Sequence, residues 1–450
     1  MEIDAGATAW VLVCAALVLL MTPGLAFFYG GLEGRRNVLG IMMQCFCAIG
    51  VVSITWALIG FSIAFDDGNG WLGGLGFAGL TPSSLTHGVP GIAGLAVPTI
   101  AFALYQMMGA VITPALVTGA TADRWRFGPY ILFLVLWPIL VYAPVAHWVF
   151  SPTGWAAKLG AFDFAGGIVV HANAGAAAVA MALVLGRRRG WPERQEPPHS
   201  VPLVMIGAGI LWFGWLGYNG GSALHANGLA AMAAANTHLG GSAALLTWIV
   251  VERIRAGKPT TLGAGTGALG GLVAVTPCAG FITPLSAILI GAVAGVVCCL
   301  AVGLKTWLIL DDSLDVIAVH LVGGSLGTLS LGLFATKSVN PNGANGLFYG
   351  GGIELFANQL LVLIVVVMYS LVATYLIGWS IGRLVGNRVS QSQESAGLDL
   401  SEHGEHAYAT GTPEEQSRPE TQSPSIGTDQ ATISHHGTPI PYETDNKSGP

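Results

Sequence analysis

Asp163-Phe-Ala-Gly-Gly-Ile-Val-Val-His171 is the stretch on which the reading of this chain turns. A carboxylate and a histidine bracket seven small or apolar residues, and the apolar run continues to Gly186. A second stretch, Asp315-Val-Ile-Ala-Val-His320 followed by Gly323-Gly324, has a similar order of carboxylate, Val-His pair and small residues. Ionisable side chains at the centre of a bilayer cost roughly 2.5–3.5 kcal/mol on insertion scales, so they mark function where they occur. Two such histidines at matching points predict a lined path, whereas one alone reads as a satisfied core residue.

Working outward, the chain around these stretches is apolar almost throughout. Of 450 residues, 53% are apolar and 9% charged, against about 25% charged in a soluble domain. The mean hydropathy is +0.64. That composition excludes a multi-domain soluble enzyme, a nucleic-acid binder and a disordered protein. A spanning helix needs about 20 mostly apolar residues, and eleven segments qualify: 8–31, 38–65, 91–120, 128–150, 166–186, 202–221, 224–251, 262–281, 284–307, 314–335 and 352–384. The sixth and seventh are parted only by Asn219–Ser222 and His225–Asn227.

Basic residues test the count. Fourteen Lys and Arg fall after odd-numbered spans, from Arg35 and Arg36 to Arg383 and Arg388, whereas only Lys158 and Lys337 fall on the other side. The positive-inside rule then predicts an external N-terminus and a cytoplasmic C-terminus. Five spans per half make the His171 and His320 segments enter from opposite faces. The expected fold is therefore all-α and polytopic, a 5+5 inverted repeat with an eleventh span outside it. Residues 1–388 read as the transmembrane domain. The formal charge of −6 belongs to the end of the chain, since 389–450 holds ten acidic and two basic residues.

Other features have plain readings. The 64 glycines suit close helix packing in lipid, which offers no hydrophobic drive for association. Gly265-x-Gly-x-x-Gly270 follows no strand, and Gly323-x-Ser-x-Gly327 lies in a membrane helix, so neither carries enzyme chemistry. The six cysteines sit in apolar runs as buried thiols. His87 and His225 are placed near the outer face, and His147 and His238 serve packing or helix ends. No metal site or cofactor is expected. Neutral imidazole, with one donor and one acceptor per ring, suits a small uncharged solute. An ion channel needs rings of carbonyls or carboxylates.

Five motifs carry a family resemblance: Pro23-Gly-Leu-Ala-Phe-Phe-Tyr-Gly-Gly31 with Arg36-Asn-Val38, the Asp163–His171 stretch, Gly214-Trp-Leu-Gly-Tyr-Asn219 with Gly221-Ser222, Val275-Thr-Pro277, and Asp311-Asp312 leading to Asp315 and His320. With them, residues 8–408 resemble the Amt/Mep/Rh ammonium transporter family, more closely its bacterial Amt branch. The resemblance implies a homotrimer in the cell inner or plasma membrane, one pore per subunit, carrying ammonium and methylammonium. In such proteins a vestibule binds the cation, the cation is deprotonated, and ammonia crosses an apolar pore lined by twin histidines.

Carried over, His171 and His320 are the pore-lining pair. Asp163, Ser222, Phe150, Trp215, Tyr218 and Tyr105 form the substrate-binding set. Within it Asp163 steadies the cation site, or caps and holds its helix end. Ser222 gives the vestibule hydroxyl, Tyr218 the inner aromatic gate, and Trp215 flanks the pore mouth. Two positions depart from the family. Gly109 stands where an outer-gate phenylalanine is usual, and Phe150 where the vestibule tryptophan is. Cation–π attraction is strongest over Trp, so both departures weaken the expected cation site. Tyr105, Trp148 and Met108 are the candidates for compensation.

Residues 389–408 resemble an ordered cytoplasmic regulatory segment tied to a PII-type signalling partner and so to nitrogen status. Residues 409–450, rich in Ser, Thr, Pro, Glu and Gln, are expected to be disordered. Two rivals to the transporter reading share its fold: an ammonium sensor with weak transport, and an electroneutral Rh-type ammonia channel. A membrane enzyme ranks lower, because no nucleophile–base set lies at pore depth.

Overall fold

A computed structural model describes residues 3–81, 96–193 and 196–408. His87, Arg194, the expected start of the third span at Gly91 and the expected disorder of 409–450 lie outside those residues. Eleven long helices follow in the expected order: α1 Ala5–Leu32, α2 Val38–Phe65, α3 Thr99–Thr121, α4 127–150, α5 Gly167–Leu185, α6 Val201–Gly221, α7 Gly228–Ala256, α8 Thr261–Val275, α9 Pro284–Ala301, α10 Ile317–Phe334 and α11 Glu354–Val385. Among the described residues, nine helices are long and apolar enough to cross a membrane, and α7 and α8 are the other two. Helix α7 has 29 residues but carries Glu252, Arg253 and Arg255 at its end.

Helix α8 departs from the expected 262–281. Its regular turns stop at Val275, and 276–282 continue as a buried irregular segment. Irregular backbone at such depth survives only when protein groups satisfy it. Asn236 of α7 does so, its amide donating to the carbonyls of Ala279 at 2.8 Å and Ile282 at 2.7 Å. Helix starts are capped locally where a short polar side chain is available. Asp4, Ser200, Asn227, Thr260 and Thr283 each accept a backbone N–H of the first turn, replacing a lost intrahelical partner.

Helix neighbours reveal the repeat. α1 packs on α6, and α5 on α10, across the halves. Within the first half α2 meets α3 and α4, and α3 meets α5; within the second α7 meets α8 and α9, and α8 meets α10. Helix α11 stands outside this scheme, against α4, α5 and α10. The α1–α6 crossing depends on glycine. A Cβ on Gly207 would lie 2.2 Å from the backbone nitrogen of Phe28, and one on Gly31 2.6 Å from that of Val204.

At the face where α3 ends, Arg124 is fully buried and uses all five of its donors. Nε donates to the Gly186 carbonyl, Nη1 to Ala122 and Ser313, and Nη2 to Ala120 and Asp311. Arg188 clasps the Asp311 carboxylate through Nε and Nη2 at 2.9–3.2 Å, and reaches Asp123 at 3.2 Å. Burial works against charge on Asp311, but the Arg188 hydrogen bond and the Arg124 and Arg188 charges outweigh it and hold the carboxyl below its usual range. Two short helices, α12 Gln391–Ala396 and α13 Leu398–His403, follow α11 within the same compact unit, which ends at Ala407. Asp399 accepts the Gly40 amide of α2 at 2.8 Å, and Glu402 the Phe127 amide of α4 at 2.9 Å.

Two outcomes are expected. Gly207→Val should cost about 3 kcal/mol, the upper end for overpacking, because backbone opposes the new methyl groups; the melting temperature in detergent measures it. Asp311→Asn should cost about 3 kcal/mol, the lower end for a broken buried pair, because Arg124 loses its 4.0 Å counter-ion and Arg188 keeps only Asp123 among the described residues. With a depressed folded-state pKa, the Asp311 contribution is complete above about pH 4 and is lost as pH falls through the folded value. Melting curves of wild type and Asp311→Asn should therefore converge in strong acid.

Candidate functional site

Helix α5 begins abruptly in the interior, where its first amides have no water to turn to. Asp163 meets them. One carboxylate oxygen accepts the N–H groups of Gly166 at 2.8 Å and Gly167 at 2.7 Å; the other accepts Ile168 at 2.7 Å and Val169 at 3.1 Å. The turn closes because Gly166 takes φ +115°, open to glycine alone among ordinary residues. Helix α10 starts in a similar way. The carboxylate that anchors it is Asp312, accepting Val316 at 3.1 Å and Ile317 at 2.7 Å. Asp312, not Asp315, is thus the repeat partner of Asp163, and each lies eight residues before its histidine.

Both histidines fall in π-helical turns, Gly167–Ala172 and Ile317–Val322. Such turns insert one extra residue and re-aim the side chains around it. The Nδ1 atoms of His171 and His320 are 3.2 Å apart, with ring planes 20° from parallel. A hydrogen bond between two Nδ1 atoms requires one ring to carry the proton there and the other to be bare. The Nε2 atoms are then complementary, one donor and one acceptor. His171 Nε2 has no protein partner among the described residues. Trp215 stacks on His171 at 5.3 Å and donates its indole N–H to Thr276 at 2.8 Å. It therefore lies beside the histidines.

These rings line a narrow cavity walled by apolar side chains such as Leu25, Ile112, Leu116 and Val319. Asp315 also lines it, and Lys305 holds that carboxylate in an ion pair at 2.7 Å. A second cavity, of about 250 Å³, opens among aromatic rings. Tyr105, Gly109, Phe150, Tyr218 and Ser222 all line it. Tyr105 donates its hydroxyl to the Tyr218 carbonyl and lies 3.0 Å from Ser222 Oγ. Ser222 Oγ donates to the Tyr218 carbonyl at 3.1 Å. Tyr218 lines both cavities and forms the wall between them.

Asp163 lines neither cavity. Its oxygens are spent on backbone amides, so it acts on any ligand through the helix it holds. Trp148 and Met108 also stay clear of the aromatic cavity; the Trp148 indole turns to the Trp71 carbonyl and packs on Tyr369. The residues that reading the chain missed are Phe65, Phe102, Tyr142 and Phe164. Phe164 adjoins Asp163 and was findable on that ground, whereas Tyr142 sits in an apolar run with nothing to single it out. His147 proves structural, its ring nitrogens bonded to the Ala64 and Asn69 carbonyls.

Asp163→Ala would orphan four buried amides at about 1–3 kcal/mol each, more than a marginally stable fold can lose. No monodisperse protein is expected from that variant. Asp163→Asn keeps one carbonyl acceptor and should yield folded protein of lowered melting temperature.

A sequence model of the Ammonium Transporter Family matches residues 9–408. The ammonium transporter of Mycobacterium tuberculosis (strain ATCC 25618 / H37Rv) is 48% identical over 431 residues, covering 90% of each chain. That of Bacillus subtilis is 45% identical over 404 residues, 90% of this chain and 98% of the relative. Among solved structures, Candida albicans Mep2 superposes with a TM-score of 0.82 at 34% identity, over 90% of this chain and 91% of that one. A sensor Amt protein superposes at 0.81 and 29% identity, over 88% and 98%. The chain is thus a multi-pass membrane protein of the ammonium transporter family, a transporter and not an enzyme.

Proposed function

We propose that this protein recruits the ammonium cation at the aromatic cavity, deprotonates it at the Tyr218 wall and passes ammonia along the histidine cavity. The pairing of His171 and His320 through Nδ1 carries this reading. A cation entering an apolar cavity loses its hydration at great cost, whereas neutral ammonia loses little. The histidine pair offers one donor and one acceptor to a solute with three N–H groups and one lone pair. The same bond offers a proton route, since a proton taken at one Nε2 can be released from the other ring after the shared proton shifts. Potassium has no proton to give up and is rejected.

In this scheme Ser222, Tyr105 and Phe150 hold the cation by hydroxyl oxygen and ring face, Tyr218 separates the cavities, and Trp215 fixes the plane of His171. Asp163 is a positioning residue. The aromatic cavity faces outward, a reading that the distribution of Lys and Arg supports, and Asp315 marks the cytoplasmic exit. The protein works as a homotrimer in the cell inner or plasma membrane and also carries methylammonium. Residues 1–388 form the transport domain, and 389–408 form the regulatory segment that a PII-type signalling protein reads.

The test is electrical. Purified protein in liposomes on a solid-supported membrane is pulsed with ammonium, methylammonium and potassium. Wild type should give current with ammonium and none with potassium. His171→Ala and His320→Ala should stay folded but lose proton coupling or admit potassium. Wild-type currents and unchanged potassium exclusion in both variants would refute the mechanism. Gly109 and Phe150 motivate the sensor reading, which ammonium binding without translocation would establish. Ammonia flux with no current would establish the electroneutral channel.

A further inference from the structure

We propose that the Tyr142 hydroxyl is a selectivity group at the neck between the two cavities, favouring ammonium over methylammonium. The inference rests on the transport reading above and adds a residue to it. Two glycines make the neck. A Cβ on Gly109 would lie 3.0 Å from Tyr142 Oη and 3.8 Å from Tyr218 Oη, and a Cβ on Gly166 would lie 2.8 Å from Tyr218 Oη. Missing side chains at both positions thus admit two phenol hydroxyls. Gly109, Tyr142 and Tyr218 all line the aromatic cavity, and Tyr218 continues into the histidine cavity. On the proposed path a solute leaving the aromatic cavity past Tyr218 meets these oxygens.

Packing holds the Tyr142 ring, and its hydroxyl bonds the Thr113 side chain. The ring is buried, edge-on to Trp56 at 5.9 Å and tilted against Trp137 at 6.5 Å. It ends the π-helical turn Pro138–Tyr142, whose extra residue aims the phenol toward Gly109. Gly109 therefore does not leave a gap. The space beside it holds a polar atom.

That exchange alters what the neck can distinguish. A ring face attracts any cation and is indifferent to a methyl group on it. A hydroxyl oxygen accepts an N–H and gains nothing from a methyl group, which must shed its own space in the cavity. Ammonium presents an N–H in every direction. Methylammonium presents three and a methyl, so in any orientation that turns the methyl to a hydroxyl it loses a match that ammonium keeps.

Tyr142→Phe keeps the ring packing and removes the oxygen together with its bond to Thr113. Full-length wild type and variant are compared in proteoliposomes by half-saturation and maximal rate for each cation. The preference for ammonium over methylammonium should fall about tenfold, the scale of one hydrogen bond to a charged group. Gly109→Ala, which sets a methyl group against Tyr142 Oη, should lower the same preference without touching the ring and serves if Tyr142→Phe fails to fold. A preference within twofold of wild type in the folded variants overturns the proposal. If wild type carries neither cation, the transport reading falls, and the preference is read from calorimetric binding of each cation to the same proteins.

Discussion

A helix that begins inside a membrane exposes amides to a medium with no partners for them, and the functional core depends on how that constraint is met. Helices α5 and α10 both meet it with a buried carboxylate. Asp163 takes four amides and Asp312 two. Each anchor fixes the depth and rotation of the residue eight places on, about 12 Å along a regular helix. Because α5 and α10 enter from opposite ends of the repeat, the two anchored segments converge and set the Nδ1 atoms 3.2 Å apart. Without fixed starts, neither helix would hold its ring in register with the other.

The same constraint determines the electrostatics of the path. The carboxylates that start the helices are neutralised by backbone dipoles, and the one that lines the histidine cavity, Asp315, is tied to Lys305. Hydrogen-bonded amides and an ion pair leave little negative field to draw a cation inward. The rest of the lining is mostly apolar wall with the imidazoles, Trp215, Tyr29, Tyr218 and Thr266, and it suits the neutral solute of the proposed function. Ring faces and hydroxyls gather in the aromatic cavity, where the proposed function puts attraction for the charged form.

The fold was legible because its signals are long. Eleven apolar runs and the alternation of basic residues need no tertiary information, and the order of helices follows them. Capping and re-aiming do depend on tertiary context, and there the reading of the chain fell short. Asp315 resembled the partner of Asp163 because it stands nearest the second Val-His pair, yet the backbone uses Asp312. Arg124 counted as one topological charge, whereas folding buries it with five carbonyl and hydroxyl partners. Tyr142 has no local signal at all. Its role arises from Gly109 some thirty positions earlier, on another helix, and from a π-helical turn that no periodicity announces.

The orphan-amide problem also governs the far end of the bundle. Helix α2 begins after Asn37, whose side chain bonds Asp123 and the Leu398 amide instead of capping its own helix. The first turn of α2 is instead capped by Asp399, and that of α4 by Glu402. Both caps come from the segment after α11. Local caps such as Ser200 stay with their helix whatever else moves, but a remote cap is present only while its segment is docked. Lifting α13 would expose the Gly40 and Phe127 amides together, and Asn37 would lose Leu398 while keeping Asp123, itself joined through Arg188 to the loop that anchors α10. Docking of this segment and the geometry at the start of the His320 helix are therefore joined by one unbroken chain of hydrogen bonds and ion pairs.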